Sequence, residues 1–196
     1  GDSDTSKQII NQLEELDYII CSDLDNEIAD FIGIKNQGNN RKVYFIHCKA
    51  KKYEKKVGIS ASSFQDICGQ IIKNIDFIHP LSTEKPNINL WDQNWTSSNF
   101  KVERKRIMRK SETTPQKNAE QLWQIIKDIQ EDQEGEVYVW ALVGNMFSLE
   151  KFLRKSNNDE LSDEYIPFIY LLCNTWSMVQ ETGAKFQLLF NKISVN

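Results

Sequence analysis

The chain has 196 residues, 40% of them hydrophobic and 27% charged, with a formal net charge of -4. That length suits one ordinary domain with a sizeable core, and the balance excludes collagen-like, low-complexity and wholly disordered chains. No apolar run approaches the ~20 residues of a membrane span, and four scattered cysteines without CxxC spacing read as reduced thiols, not as a disulfide framework or zinc site. A soluble cytoplasmic domain is expected. The start Gly-Asp-Ser-Asp, without an initiator Met, suggests a fragment of a larger protein.

Residues 4–17 predict an amphipathic helix, with Ile9, Ile10, Leu13 and Leu16 at helical spacing. Three strand-like runs follow: Tyr18–Asp23, Ile28–Ile34 and Val43–Ala50. Polar turns join them, Leu24-Asp25-Asn26 and then Asn36-Gln37-Gly38-Asn39-Asn40, so an antiparallel meander is expected. Residues 62–78 form the clearest helix, with Phe64, Ile67, Cys68, Ile71, Ile72, Ile75 and Ile78 on one face and Pro80 just beyond.

The polar stretch 80–100, with Trp91 and Trp95, reads as a long loop holding a short strand, and 98–108 as a strand. Thr114-Pro115 predicts a helix start, with Pro at the first helical position. Val137–Val143 is β-rich throughout, as a buried central strand is. A short helix from Ser148, a longer one near 162–181 ending at Gly183 and a strand Phe186–Phe190 complete the chain. The order α-βββ-α-(β)-α-β-α-α-β predicts a single mixed α/β domain, with helices packed on a central sheet and no internal repeat.

Charge is distributed unevenly. Segments 49–56 and 101–110 hold 11 of the 24 basic residues and only two acids, Glu54 and Glu103. Net charge argues weakly against a nucleic-acid partner, and an isolated basic run is commonly a solvated face. Two such runs in one small acidic domain point instead to a phosphate-binding surface.

Chemistry-bearing residues cluster in the meander. Asp30 falls inside the second predicted strand, and Lys49 lies 19 positions later near the end of the third. Strand alternation puts Phe45, His47 and Lys49 on one face and Tyr44, Ile46 and Cys48 on the other. In a hairpin, Asp30, His47 and Lys49 converge at one edge. Charges in strands made for burial must pair, hold a metal or line a cleft. A structural ion pair, with His47 as a satisfied core histidine, meets that demand as well as a catalytic site does. Cys48 and Cys68 read as packing residues, His79 as a partner for a helix C-terminus, and Trp91 and Trp95 as cover for the core edge or as base-stacking rings.

The run Asp30 … His47-Cys48-Lys49, after a helix and two strands and before another helix, resembles the PD-(D/E)XK restriction-endonuclease-like superfamily. The resemblance covers residues 5–80 best. It implies a restriction-endonuclease-like mixed sheet flanked by helices (an α-βββ-α-β core) with extra C-terminal helices. Residues 1–80 would then be the catalytic half, and 81–196 would carry the basic strand, helices and remaining strands. It further implies that Asp30 and the residue two before Lys49 bind a divalent cation, Mg²⁺ or Mn²⁺, while Lys49 assists the attacking water. His47 stands where Asp or Glu is usual. It would be a softer ligand favouring Mn²⁺, a general base or a phosphate contact.

The Cys48 backbone carbonyl would be a further ligand. The second carboxylate would come from Glu27, or from Glu14 or Glu15 on the first helix. The helix bearing Cys68-Gly69-Gln70 and Lys73 is similar to the glutamine-bearing helix of several branches of that superfamily. There Gln70 would orient substrate, though an ordinary helix-surface role fits equally. The whole run looks like nuclease-like domains fused to helicases and found in bacterial anti-phage defence.

The expected activity is therefore metal-dependent DNA endonuclease cleavage, with Lys51, Lys52, Lys73, Arg104, Arg106 and Arg109 gripping the phosphate backbone. A fused or associated helicase or ATPase domain and a homodimer are the expected partners. The rivals are a catalytically inactive nuclease fold that only binds nucleic acid, or a protein–protein module that docks through the apolar 162–181 helix or the Trp-bearing loop.

Overall fold

The computed structural model describes residues 11–23, 28–50, 61–97, 102–144, 149–158, 163 and 165–190. Its centre is the expected meander of β1 (Tyr18–Cys21), β2 (Phe31–Lys35) and β3 (Lys42–Ala50), paired antiparallel with Tyr18 opposite Ile34 and Phe31 opposite Ile46. The β2–β3 turn is held from inside. Buried Asp17 accepts the Asn36 and Gln37 N–H groups at 2.7 and 3.1 Å, and Gly38 supplies the positive φ of +79° that the reversal needs.

Beyond β3 come α1 (Ala61–Lys73), the short α2 (Ile75–Ile78) and a 3₁₀ turn (Ile88–Leu90). A small hairpin, β4 (Asn94–Ser97) with β5 (Val102–Lys105), precedes β6 (Ile107–Arg109). The remaining elements are α3 (Ala119–Glu131), β7 (Glu136–Gly144), α4 (Leu149–Asn157), α5 (Tyr165–Glu181) and β8 (Lys185–Phe190). The main sheet runs β6-β1-β2-β3-β7-β8, antiparallel from β6 to β3 and parallel from β3 to β8. Parallel neighbours need crossovers, which the intervening helices supply.

Strand alternation divides the core. Ile32, Ile34, Val43, Phe45 and Val139 pack with Phe64, Ile67 and Ile71 of α1, Ile126 of α3 and Phe168 of α5. The rings of Phe64 and Phe168 meet edge to face at 4.6 Å between centroids. The other face gathers Leu16, Tyr44, Ile46, Tyr138 and Trp140. β7 is the buried central strand its composition predicts.

Several boundaries differ from expectation, each for a local reason. β2 starts at Phe31, not Ile28, so Asp30 stands just outside it. There the Asp30 carboxylate, not a backbone carbonyl, takes the Cys48 N–H and ends the ladder. The predicted helix 62–78 breaks at Asn74, whose side-chain amide donates to the Ile28 carbonyl at 3.1 Å. The predicted strand 98–108 divides at Arg106 into β5 and β6, which join different sheets.

Helix α3 begins at Ala119, not at Thr114-Pro115. Asn118 and Gln121 form a reciprocal capping box, and the Pro115 carbonyl accepts the Tyr18 hydroxyl at 2.8 Å instead. Of the predicted first helix, residues 11–14 are helical, and positions 1–10 lie outside the described residues, as does the turn at 24–26.

Candidate functional site

The parallel strands β3 and β7 end together, Ala50 opposite Gly144. The antiparallel meander brings the end of β1 and the start of β2 to that same end of the sheet. Here Asp30, half-buried, accepts the Cys48 N–H on Oδ2 at 2.6 Å, while its own carbonyl accepts the Ser22 N–H at 2.9 Å. In an extended strand a residue's N–H and C=O point to the same side. The Cys48 carbonyl therefore faces the Asp30 side as well. Burial pushes the Asp30 carboxyl above its ordinary range; the Cys48 N–H opposes that, the Asp23 charge adds to it, and Lys49 opposes it more weakly.

One residue past Cys48, Lys49 pairs with Asp66 of α1 at 3.2 Å. Both groups are well exposed, so the pair is weak and readily exchanged for another anion. Gln70 is half-buried one turn beyond Asp66, on the same face of α1. The structure thus brings Asp30 and Lys49 to one end of the sheet and adds Asp23 and Asp66, with Gln70 one helical turn from Asp66.

Neither acid was singled out from the sequence. Asp23 closes the first predicted strand, and Asp66 sits four residues before Gln70, a helical spacing that is the one available signal.

His47 behaves differently. It is 1% exposed, Nε2 has no hydrogen-bond partner, and burial drives the imidazole down to about 4, so it is neutral at pH 7. His47 is thus set apart from the exposed Lys49, and its unpartnered Nε2 is not the satisfied core histidine of the structural reading.

Glu15 lies at the opposite end of the sheet, paired with Lys35 at 2.6 Å, and neighbouring Glu14 is exposed at that same end. Both are thereby removed as the second carboxylate. Glu27, Lys51 and Lys52 lie outside the described residues.

The predicted phosphate contacts separate into two kinds. Lys73, in the last turn of α1, Arg104, opposite Trp95 in the hairpin, and Arg109 are exposed. Arg106 is 7% exposed, and its guanidinium donates to the carbonyls of Cys21 and Asp23 at 3.2 and 3.1 Å. It fastens the end of β1 and is not a free surface cation. Trp91 is buried with Nε1 donating to Ser22 Oγ at 3.3 Å, so it covers the core and stacks no base. His79 is the C-cap residue of α2, and its Nδ1 accepts the Leu81 N–H at 3.1 Å.

Among the described residues, no group of three or more His, Cys, Asp and Glu side chains is gathered as a metal site. The accessible donors are oxygens, from Asp30 and the Cys48 carbonyl, which suit a hard cation. The described helices include none long and apolar enough to cross a membrane. No family model, curated protein or solved structure matches this chain.

Proposed function

We propose that the chain is a restriction-endonuclease-like domain that hydrolyses phosphodiester bonds of DNA in a cytoplasmic defence or restriction system. One observation carries the reading. The Asp30 carboxylate is fastened to the β3 backbone at 2.6 Å, one residue before Lys49, where parallel strands end. Ligand sites of α/β sheets favour that position. Asp30 and the Cys48 carbonyl would hold Mg²⁺ or Mn²⁺. When bound, the cation supplies charge stabilisation and a more acidic water. Lys49, released from Asp66 by an incoming phosphate, stabilises developing negative charge, and Gln70 orients the phosphate or the attacking water. Fusion to or association with a helicase or ATPase, and homodimerisation, belong to the same proposal.

Cleavage of supercoiled, linear and single-stranded DNA with Mg²⁺ or Mn²⁺ tests it. Metal-dependent cutting that Asp30→Ala and Lys49→Ala both abolish is the expected result; cutting that survives both substitutions removes the assignment. The burial of His47 favours a second reading, a nuclease fold that binds nucleic acid without cutting it. Salt-dependent binding without cleavage under either metal selects that reading.

A further inference from the structure

Among the described residues, β6 is an edge strand, paired with β1 alone. Its register puts Arg106 and Lys110 in hydrogen-bonded positions, with the Arg106 carbonyl accepting the Cys21 N–H and the Lys110 N–H donating to the Asp17 carbonyl, each at 2.9 Å. Alternation then turns the backbone N–H and C=O of Ile107 and Arg109 outward, away from β1. Both residues line a cleft of about 540 Å³ between the β4–β5 hairpin and residues 111–117.

Four cations line the cleft, Lys105, Arg106, Arg109 and Lys117, against two acids. Arg106 already donates to the Cys21 and Asp23 carbonyls and Arg109 to the Thr114 carbonyl at 2.9 Å, so the phosphate contacts fall first to Lys105 and Lys117. Asp92 is one of the two acids, and its Oδ1 is occupied by the Ala119 N–H at 2.9 Å; Glu112 is the other. In a chain of net charge -4, this is a local reversal of sign.

We infer that this cleft is the entry track for one strand of nucleic acid, so that the domain takes single strands in preference to duplexes. The inference rests on the proposed nuclease reading for its direction and extends it to substrate strandedness. Cations spaced around outward backbone N–H groups hold phosphates. The volume is that of a small-ligand pocket. That scale matches a short run of single-strand nucleotides and not a stretch of duplex.

Arg106 connects the two sites. It lines the cleft and also fastens Cys21 and Asp23, next to Asp30. At ≈ 4.8 Å per strand, Asp30 and Lys49 then lie roughly two to three strand spacings from β6. A strand leaving the cleft over the end of β1 reaches them directly.

The test is anisotropy of a labelled 12-nucleotide oligothymidylate and of a 12-base-pair duplex, titrated with the full chain in chelator so that no cutting intervenes. Lys105→Glu and Lys117→Glu should each weaken single-strand binding about tenfold and lower the salt slope by about 0.7 per lost contact. Lys85→Glu, which reverses a surface charge paired with Glu120, controls for net charge and should change binding little. Thermal melts check that every variant folds.

Duplex binding as tight as single-strand binding overturns the inference, as does an equal effect of all three reversals. Displacement of the oligonucleotide by poly-glutamate at matched charge overturns it too, in favour of an acidic protein segment on the β6 edge. Because binding is read without metal, single-strand binding through the cleft by a protein that never cuts upholds the track while refuting the nuclease. Cutting without single-strand preference does the reverse.

Discussion

The two ends of the central sheet handle charge in opposite ways. Where β3, β7 and β8 begin, Glu136 lies between Lys42 and Lys185, within 2.9 Å of Lys42. Both ammonium groups also sit over the Tyr138 ring. Hydrogen bonds from Lys185 and then Lys42 hold the Glu136 carboxyl down to about 2. Where β3 and β7 end, burial raises Asp30, the neighbouring Asp23 raises it further, and Lys49 is drawn off toward Asp66. One end is electrostatically satisfied. The other keeps an underpaired carboxylate and an exchangeable lysine, the condition in which a bound cation or phosphate gains most.

The largest test of this contrast is functional. Asp30→Ala or Lys49→Ala should lower metal-dependent cleavage by about 10²–10³-fold, measured as nicking of supercoiled DNA. Glu136→Gln at the satisfied end should leave the rate unchanged. Gln70→Ala should reduce cleavage severalfold, and unchanged turnover would remove Gln70 from the site.

The next effect separates core from site. The His47 imidazole is held near 4 in the folded state against 6.5 when unfolded, so below pH 6.5 the unfolded chain binds the extra proton. Stability is then lost as pH falls from 6.5 toward 4, by about 3 kcal/mol in all. Urea melts across that range should show this loss in the wild type and not in His47→Leu. A histidine outside the catalytic machinery also predicts that His47→Leu keeps its cleavage rate.

Smaller again is the contribution of Glu136. Its folded value lies below the ordinary 4.5, so its stabilisation is present above that value and disappears as pH falls toward 2. Partial exposure limits it to about 1 kcal/mol, and Glu136→Gln should lose about that much in low-salt denaturation at pH 7.

The smallest expected change has the opposite sign. Asp30 is raised in the folded state, so ionising it costs stability at neutral pH. Asp30→Asn keeps an acceptor for the Cys48 N–H and should melt slightly higher than wild type at pH 7, an advantage that vanishes in acid. A lower melting temperature would mean that the charge itself supports the strand end.

The legible parts of this fold are those whose signal is local. The apolar stripe from Phe64 to Ile71, the continuous run Val137–Val143 and the polar turn 36–40 each follow from short-range periodicity or turn chemistry, and each stands where the sequence places it. The meeting of Asp30 with the end of β3 was legible for the same reason: short polar turns force a meander, and a meander aligns those positions. The start of α3 was misread because two caps compete, and the reciprocal Asn118–Gln121 pair outweighs a proline whose carbonyl is used elsewhere.

The sequence by itself determined the antiparallel meander, the main helices and central strand, and the arrival of Asp30 at the end of β3. Those depend on interactions between residues near in the chain, or on the period of two within a strand. Only the tertiary structure decided which charges are free. It buried His47 under helices that come from distant segments and committed Arg106 to the carbonyls of β1. It also sent Glu15 to the far end of the sheet and brought Asp23 and Asp66 to the near one. Burial and long-range pairing are properties of what packs against a residue, and no local pattern carries that information.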